Sequence, residues 1–211
     1  MRKRKKLVSL LLIATASCAK YDAPGSYLLL LLSGSATASS TSSSVPKIFV
    51  TASLFDGNFG GVAGADAKCM IDSNYPGTGT FKALMVDGVS RTACTASNCP
   101  TGTIEHTNLV FAANTAYVRR SDLVAIFTTD TSGIFTFGNL TNAFGTSANY
   151  HWTGLRTDWT NSGSDCTNWT TASTGVNGRV GLDNATDVSS IRDNTPPVTC
   201  DLLRTLVCVQ Q

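Results

Sequence analysis

Charge is the first thing this sequence is short of. Asp, Glu, Lys and Arg make up 14% of its 211 residues, against roughly 25% in ordinary soluble domains. Its distribution is uneven too. Six of the 16 basic residues fall in the first 20 positions (Arg2, Lys3, Arg4, Lys5, Lys6 and Lys20), and from Lys47 onward 10 basic residues face 13 acidic ones. That part of the chain is near −3 and has no basic run, so it lacks the electrostatic footprint of nucleic-acid binding. Catalytic signatures are missing as well: there is no GxSxG, HExxH, P-loop or GxGxxG followed by an acidic residue. Histidine is limited to His106 and His151, there is no CxxC pair, and neither histidine sits at ligand spacing from a cysteine. Zinc is therefore not expected, and no cofactor is implied. His106 beside Glu105 reads as a solvated loop residue. Asp158 with Asp165 is the kind of acidic pair that any domain with 13 acids contains by chance. A domain without enzymatic activity is the expectation these absences leave.

The first 18 residues read as a processing segment. MRKRKK is a charged leader, and LVSLLLIATAS is apolar but too short to span a bilayer. Thr15-Ala16-Ser17 before Cys18 resembles a relaxed bacterial lipobox, with Thr15 where the strict pattern has Leu. If it is read, Cys18 becomes a lipidated N-terminus that anchors the protein to a membrane. The alternative is an ordinary secretory signal, with a second candidate cleavage site at Ala36-Thr37-Ala38 after the leucine run Leu28–Leu32. Ser33 to Ser44, SGSATASSTSSS, is a flexible polar tether with a reach of roughly 20 Å. The expected organisation is signal and lipidated cysteine over 1–18, tether over 19–46, and a single domain over 47–211.

Within the domain, Lys47–Thr51 is β-branched and aromatic and reads as a strand. Gly57, Gly60 and Gly61 turn the chain into a helix predicted over Ala63–Ser73. Helical spacing puts Ala63, Ala67, Met70, Ile71 and Asn74 on one face, with Lys68 and Asp72 opposite. Asp66 lies in the first turn, where free amides favour a carboxylate, so a capping role is expected for it. A phosphate loop is excluded because GK[ST] does not follow the glycines. Further strands are expected at Thr80–Val86, Leu123–Thr128, Ile134–Phe137, Tyr150–Leu155 and Arg204–Val209. Asp158–Trp169 reads as a polar loop.

Seven cysteines are present, Cys18, Cys69, Cys94, Cys99, Cys166, Cys200 and Cys208. With Cys18 set aside for the lipid, six remain in an exported chain, so three disulfides are expected. Six cysteines allow 15 pairings, and spacing favours only Cys94–Cys99.

GGVAGADAKC, then GTFKAL, WTGL, a cysteine three residues before Trp169, Cys200 and a terminal LVCV together resemble the endostatin-type branch of the C-type-lectin-like fold. More closely, they resemble the leptospiral endostatin-like family of surface lipoproteins. The likeness runs over about Lys47 to Gln211. It implies an α+β fold: a mixed antiparallel sheet with one or two short helices, disulfide-stapled, with the first and last strands side by side. It implies the pairs Cys69–Cys208 and Cys166–Cys200, leaving Cys94–Cys99 as a local bridge. It also implies an outer-membrane adhesin that binds host matrix glycoproteins such as laminin and fibronectin, and complement regulators of the factor H type.

Two features depart from that pattern. The N-terminal zinc histidines of endostatin are absent, and the arginine-rich heparin surface is replaced by a mildly acidic domain. The calcium-dependent sugar motifs of true C-type lectins (EPN or QPD, then WND) are missing too. Candidate ligand-contacting residues are Arg119, Arg120, Arg156, Trp159 and Arg179, with Arg192 and Arg204 as further cations for a local cluster; the loops Thr101–Asn114 and Trp159–Arg179 are the candidate surface. The alternative reading is a carbohydrate-binding module using Trp152, Trp159 and Trp169 as stacking platforms. A monomer is expected in either case.

Overall fold

The structure, a computed structural model, describes residues 45–211. Cys18, Leu28–Leu32, the Ala36-Thr37-Ala38 site and the serine tether lie outside the described residues. Ser42–Gln211 forms a compact unit by itself and holds all three disulfides, so it has what an independently folding domain needs. It is mixed α+β, mostly strand.

The chain begins with β1 (Lys47–Val50), α1 (Val62–Ile71) and β2 (Phe81–Ala83), followed after a long irregular stretch by β3 (Ala116–Arg119) and β4 (Ala125–Thr128). A second group follows: β5 (Tyr150–Trp152), β6 (Asn177–Gly178), β7 (Val180–Leu182) and β8 (Val198–Thr199). The last strand is β9 (Val207–Gln210). The central sheet has the order β2-β9-β1-β3-β4, and β5–β7 and β6–β8 form two small pairs. The first and last strands are antiparallel neighbours, with Phe49 opposite Cys208. β1 and β3 run parallel, with Ile48 opposite Arg119.

Strand alternation sends successive side chains to two cores. Ile48 of β1 and Val207 and Val209 of β9 join Tyr117, Ile126, Phe127, Phe135, Phe144 and Trp159 on one side. Phe49 and Cys208 join Ala65, Cys69, Phe81, Trp152 and Trp169 on the other. Both faces of the sheet are thus covered, and no helix of the described residues is long and apolar enough to cross a membrane.

Three disulfides lock this frame: Cys69–Cys208, Cys94–Cys99 and Cys166–Cys200. The first ties α1 to the middle of β9 and thereby fixes the helix's rotation. Cys69, Val62 and Ala65 face the sheet, while Ala63, Ala67 and Ile71 point to solvent. The expected apolar face is therefore corrected: Ile71 is 77% exposed. The helix stops at Ile71 because Asp72 turns extended and receives the amides of Ala52, Ser53 and Asn74 at 2.9–3.1 Å. Burial opposes the charge on Asp72, but these amides outweigh it and hold its pKa below the ordinary carboxylate value.

Asp66 does not cap the helix. Gly61, at φ 91°, takes the N-cap position without a side-chain bond. Asp66 pairs instead with Arg91, whose side chain is fully buried, through Nη1 at 3.0 Å and Nη2 at 2.7 Å. It also accepts the Ala83 amide at 2.8 Å.

Other expectations shift more modestly. Ile134–Phe137 is not a strand; a 3-10 turn (Phe137–Asn139) begins at its end. β3, β6, β7 and β8 were not expected from the sequence. The polar loop Asp158–Trp169 ends in a left-handed turn, with positive φ at Cys166, Thr167, Asn168 and Trp169. The bridge to Cys200 holds this turn from one side and the buried Trp169 anchors it from the other. Gly57 passes so close that a Cβ there would lie 2.4 Å from the Cys166 sulfur, which excludes any side chain.

The Cys94–Cys99 loop is organised by Glu105. Its carboxylate accepts the amides of Thr95, Ala96 and Thr101 and the hydroxyls of Thr95 and Thr101, all within 2.9 Å. The Thr101 and Ala96 amides are the main causes that lower its pKa from 4.5 to about 2. The folded state therefore favours the ionised form. The stabilisation is fully present above about pH 4.5 and is lost as pH falls through about 2. A Glu105→Gln variant should accordingly show a flatter loss of stability between pH 5 and 2 than the wild type in denaturant titrations. Equal slopes would contradict this assignment.

Candidate functional site

Because β1 and β3 run parallel, their C-terminal ends leave the sheet at the same edge. The chain after β1 (Thr51, Ala52, Leu54) and the end of β3 with its exit (Arg119, Arg120, Ser121) then diverge, and a cleft of about 390 Å³ opens between them. The segment Phe144–Asn149 closes the third side, and Asp183 and Thr205 form the floor. Crevices at the carboxyl ends of parallel strands are common ligand sites for this geometric reason.

The walls are held rigidly. Asp72 pins the exit of β1 as described, and Asn74 Nδ2 donates to Val50 O at 2.9 Å. Thr51 Oγ1 accepts the Leu206 amide at 2.9 Å. Across the cleft, Arg119 makes a two-pronged pair with Asp122, the shortest contact being 2.6 Å. It also donates to Ala143 O at 3.0 Å. The Arg119 hydrogen bond is the first cause that holds the Asp122 carboxyl below its usual pKa. Arg120 is fixed only through its backbone, whose amide donates to Ile48 O at 2.7 Å. The residue lines the cleft, and its guanidinium has no ion-pair partner among the described residues.

Beneath the floor lies a buried polar chain. Asp183 Oδ1 lies 2.7 Å from His151 Nδ1, and Thr205 Oγ1 is 3.1 Å from Asp183 Oδ2. His151 Nε2 has no hydrogen-bond partner. It packs against Gly181, where a Cβ would come within 2.8 Å of it. The histidine ring is fully buried. With no nucleophile bonded to Nε2, this Asp–His pair supports the cleft floor and the β5–β7 pairing. Among the described residues no group of three or more His, Cys, Asp or Glu is placed to hold a metal ion.

The residues singled out in the sequence separate into three groups. Arg119 and Arg120 sit together on the cleft. Arg156, Arg179 and Arg192 form a second group: Thr153 N and Gly154 N donate to Arg179 O, and Asp193 N donates to Val180 O, which brings the three segments together. Burial, then the charges of Arg192 and Arg156, push the Arg179 pKa down, and Asp193 opposes them. Arg204 stands apart, over the Tyr150 ring at 5.6 Å.

Trp159 is a correction. It is 1% exposed and sits edge-on to Phe135 at 4.7 Å and Phe111 at 6.2 Å, so no ligand reaches it. Trp152 and Trp169 are enclosed as well, their indole N–H groups donating to Phe55 O and Val86 O. None of the three is a stacking platform. His106 is not solvated either: its Nε2 lies 2.6 Å from Ser132 O. Asp158 and Asp165 do not act as a pair, since Asp158 bonds Thr160 Oγ1 at 2.6 Å and Asp165 accepts the Asn168 amide at 3.1 Å.

Sequence reasoning missed Asp183, Thr205, Asn149 and the Ser147 region. No spacing links them to Leu54 or Arg120; only the parallel pairing of β1 with β3 and the closure by β9 bring them together.

The chain matches a known protein family. Residues 52–186, well over half of the chain, fit the profile of a family described as a protein of unknown function (DUF1554). No curated protein matches the sequence.

Proposed function

The chain belongs to the DUF1554 family of proteins of unknown function, and from that premise we propose that it is a non-enzymatic binding domain displayed on the cell surface. The observation that carries the reading is the open cleft at the ends of β1 and β3. Its walls are fixed by Asp72 and by the Arg119–Asp122 pair, and Arg120 lines it without an ion-pair partner among the described residues. A rigid scaffold with a preformed polar recess suits ligand capture, since little ordering is needed on binding. Three disulfides suit an oxidising, extracytoplasmic setting.

The likeness to leptospiral endostatin-like lipoproteins gives the reading its specific form. In that form the chain carries a C-type-lectin-like domain on a lipid attached at Cys18, held at the outer membrane by the serine tether. It acts as an adhesin for host matrix glycoproteins such as laminin and fibronectin, and for complement regulators of the factor H type. The adjacency of β1 and β9 and the disulfide from α1 to β9 are in keeping with such a domain.

The test is saturable binding of the Ser42–Gln211 unit to immobilised laminin, fibronectin or a factor H type regulator. Binding no stronger than that of a control protein of equal charge would overturn the adhesin reading. Mass spectrometry of membrane-extracted protein tests the anchor separately: an unmodified N-terminus downstream of Cys18 would refute the lipid.

A further inference from the structure

We propose that the cleft between the ends of β1 and β3 takes a carboxylate-bearing sugar at the end of a glycan, with Arg120 holding the carboxylate. The inference deepens the binding reading above and rests on it for the choice of this cleft as the ligand site.

The charges select the ligand's charge. Arg119 is already occupied by Asp122 and Ala143 O, which leaves Arg120 as the single unpaired guanidinium lining the recess. One planar, two-pronged donor matches one carboxylate. Asp183 lies at the floor, and its carboxylate repels a doubly charged phosphate monoester more strongly than a monoanion. A part of the chain with 13 acidic and 10 basic residues likewise disfavours a long polyanion.

The rest of the lining selects a polyhydroxylated body. Asp183 is 1% exposed and already bonded to His151 Nδ1 and Thr205 Oγ1, so the polar contacts to a ligand come from the rim. Ser121, Ser147 and Asn149 add exposed donors and acceptors around the opening. Leu54, 51% exposed, offers an apolar surface to the C–H face of a ring. The volume of about 390 Å³ falls at the lower end of small-ligand recesses, roughly 300–1,000 Å³. An extended peptide is the less favoured occupant. It would need a free strand edge beside the cleft, whereas β1 is paired with β9 on one side and β3 on the other.

The experiment is a calorimetric titration of the Ser42–Gln211 unit with N-acetylneuraminic acid and with glucuronic acid, alongside their methyl esters, glucose and an acidic peptide. At least one free acid is expected to bind, and its methyl ester to bind at least tenfold more weakly. Arg120→Ala should lose at least tenfold, Arg120→Lys should lose less, and both should melt at the wild-type temperature. Ala52→Trp, which fills the recess from an exposed position, should abolish binding even if Arg120 variants prove unstable. Equal binding of acid and ester, wild-type affinity in Arg120→Ala or in folded Ala52→Trp, binding of the acidic peptide alone, or no binding of either acid would each overturn the proposal. The two readings fail separately. Matrix-protein binding that survives both Arg120→Ala and enzymatic removal of terminal acidic sugars would overturn the sugar site and keep the adhesin. Sugar binding without matrix-protein binding would do the reverse.

Discussion

Replacing both Cys69 and Cys208 with alanine is expected to remove about 3–5 kcal/mol of stability, the largest loss from any single covalent change in the domain. The bridge closes a separation of 139 residues. In the chain-entropy account, constraining a loop of that length in the unfolded state is worth about 5 kcal/mol as an upper figure. Domains of this kind have roughly 5–15 kcal/mol in total, so the variant should sit at the margin of folding near body temperature. The Cys94–Cys99 bridge, with a separation of 5, should be worth about 2 kcal/mol on the same account. Denaturant unfolding of the two double variants provides the comparison. A loss below 1 kcal/mol for Cys69/Cys208, or a larger loss for Cys94/Cys99, would contradict the view that the helix-to-last-strand tie holds the frame.

Asp66→Ala should cost about 3–5 kcal/mol, because it strands a buried charge. Arg91 is 0% exposed, and its four side-chain bonds reach α1, β2 and the irregular stretch at Asn108. Nη1 and Nη2 hold Asp66 of α1, Nη1 also donates to Ala83 O of β2 at 2.6 Å, and Nε donates to Asn108 O at 3.0 Å. Removing Asp66 leaves the guanidinium without its counter-charge and the Ala83 amide without its acceptor. Arg91→Met should be milder than Asp66→Ala, since an apolar chain of similar length removes the stranded charge along with the pair. The double variant should recover part of the Asp66→Ala loss. Denaturation of the two single variants and the double gives the coupling directly. Strictly additive losses, or an Asp66→Ala cost under 1 kcal/mol, would show that the pair is a solvated surface contact.

These two groups also show where the chain's sequence was legible. β1 and β9 could be read because KIFV and LVCV are short runs rich in β-branched and apolar residues. The existence of three disulfides followed from the even count of cysteines once Cys18 was set aside and from the expectation of export. The helix was legible in place but not in rotation. Three of its seven apolar residues are alanines, so the periodic signal was weak, and the covalent tie at Cys69 decided which side faces the sheet. Asp66 looked like a first-turn carboxylate because the partner that claims it, Arg91, is 25 residues away in an irregular stretch.

Trp159 was misread for a related reason. A tryptophan in a polar loop resembles a displayed ring, yet Trp159 turns inward among Phe111, Phe135 and Phe137, and the polar residues around it close turns at the surface. The cleft itself had almost no signature. Arg119 and Arg120 could be named as cations, but Asp183, Thr205 and Leu54 become neighbours only through long-range pairing, which no local pattern encodes.

The central claim is that the scaffold is rigid and that binding happens in the cleft at the ends of β1 and β3. The most direct measurement is residue-resolved amide chemical-shift mapping of the Ser42–Gln211 unit during titration with a bound glycoprotein or its terminal sugar. The account predicts shifts concentrated at Thr51–Leu54, Arg119–Ser121 and Phe144–Asn149, with α1 and the left-handed turn at Cys166–Trp169 unmoved. Shifts centred on Arg156, Arg179 and Arg192, or spread through both cores, would contradict it.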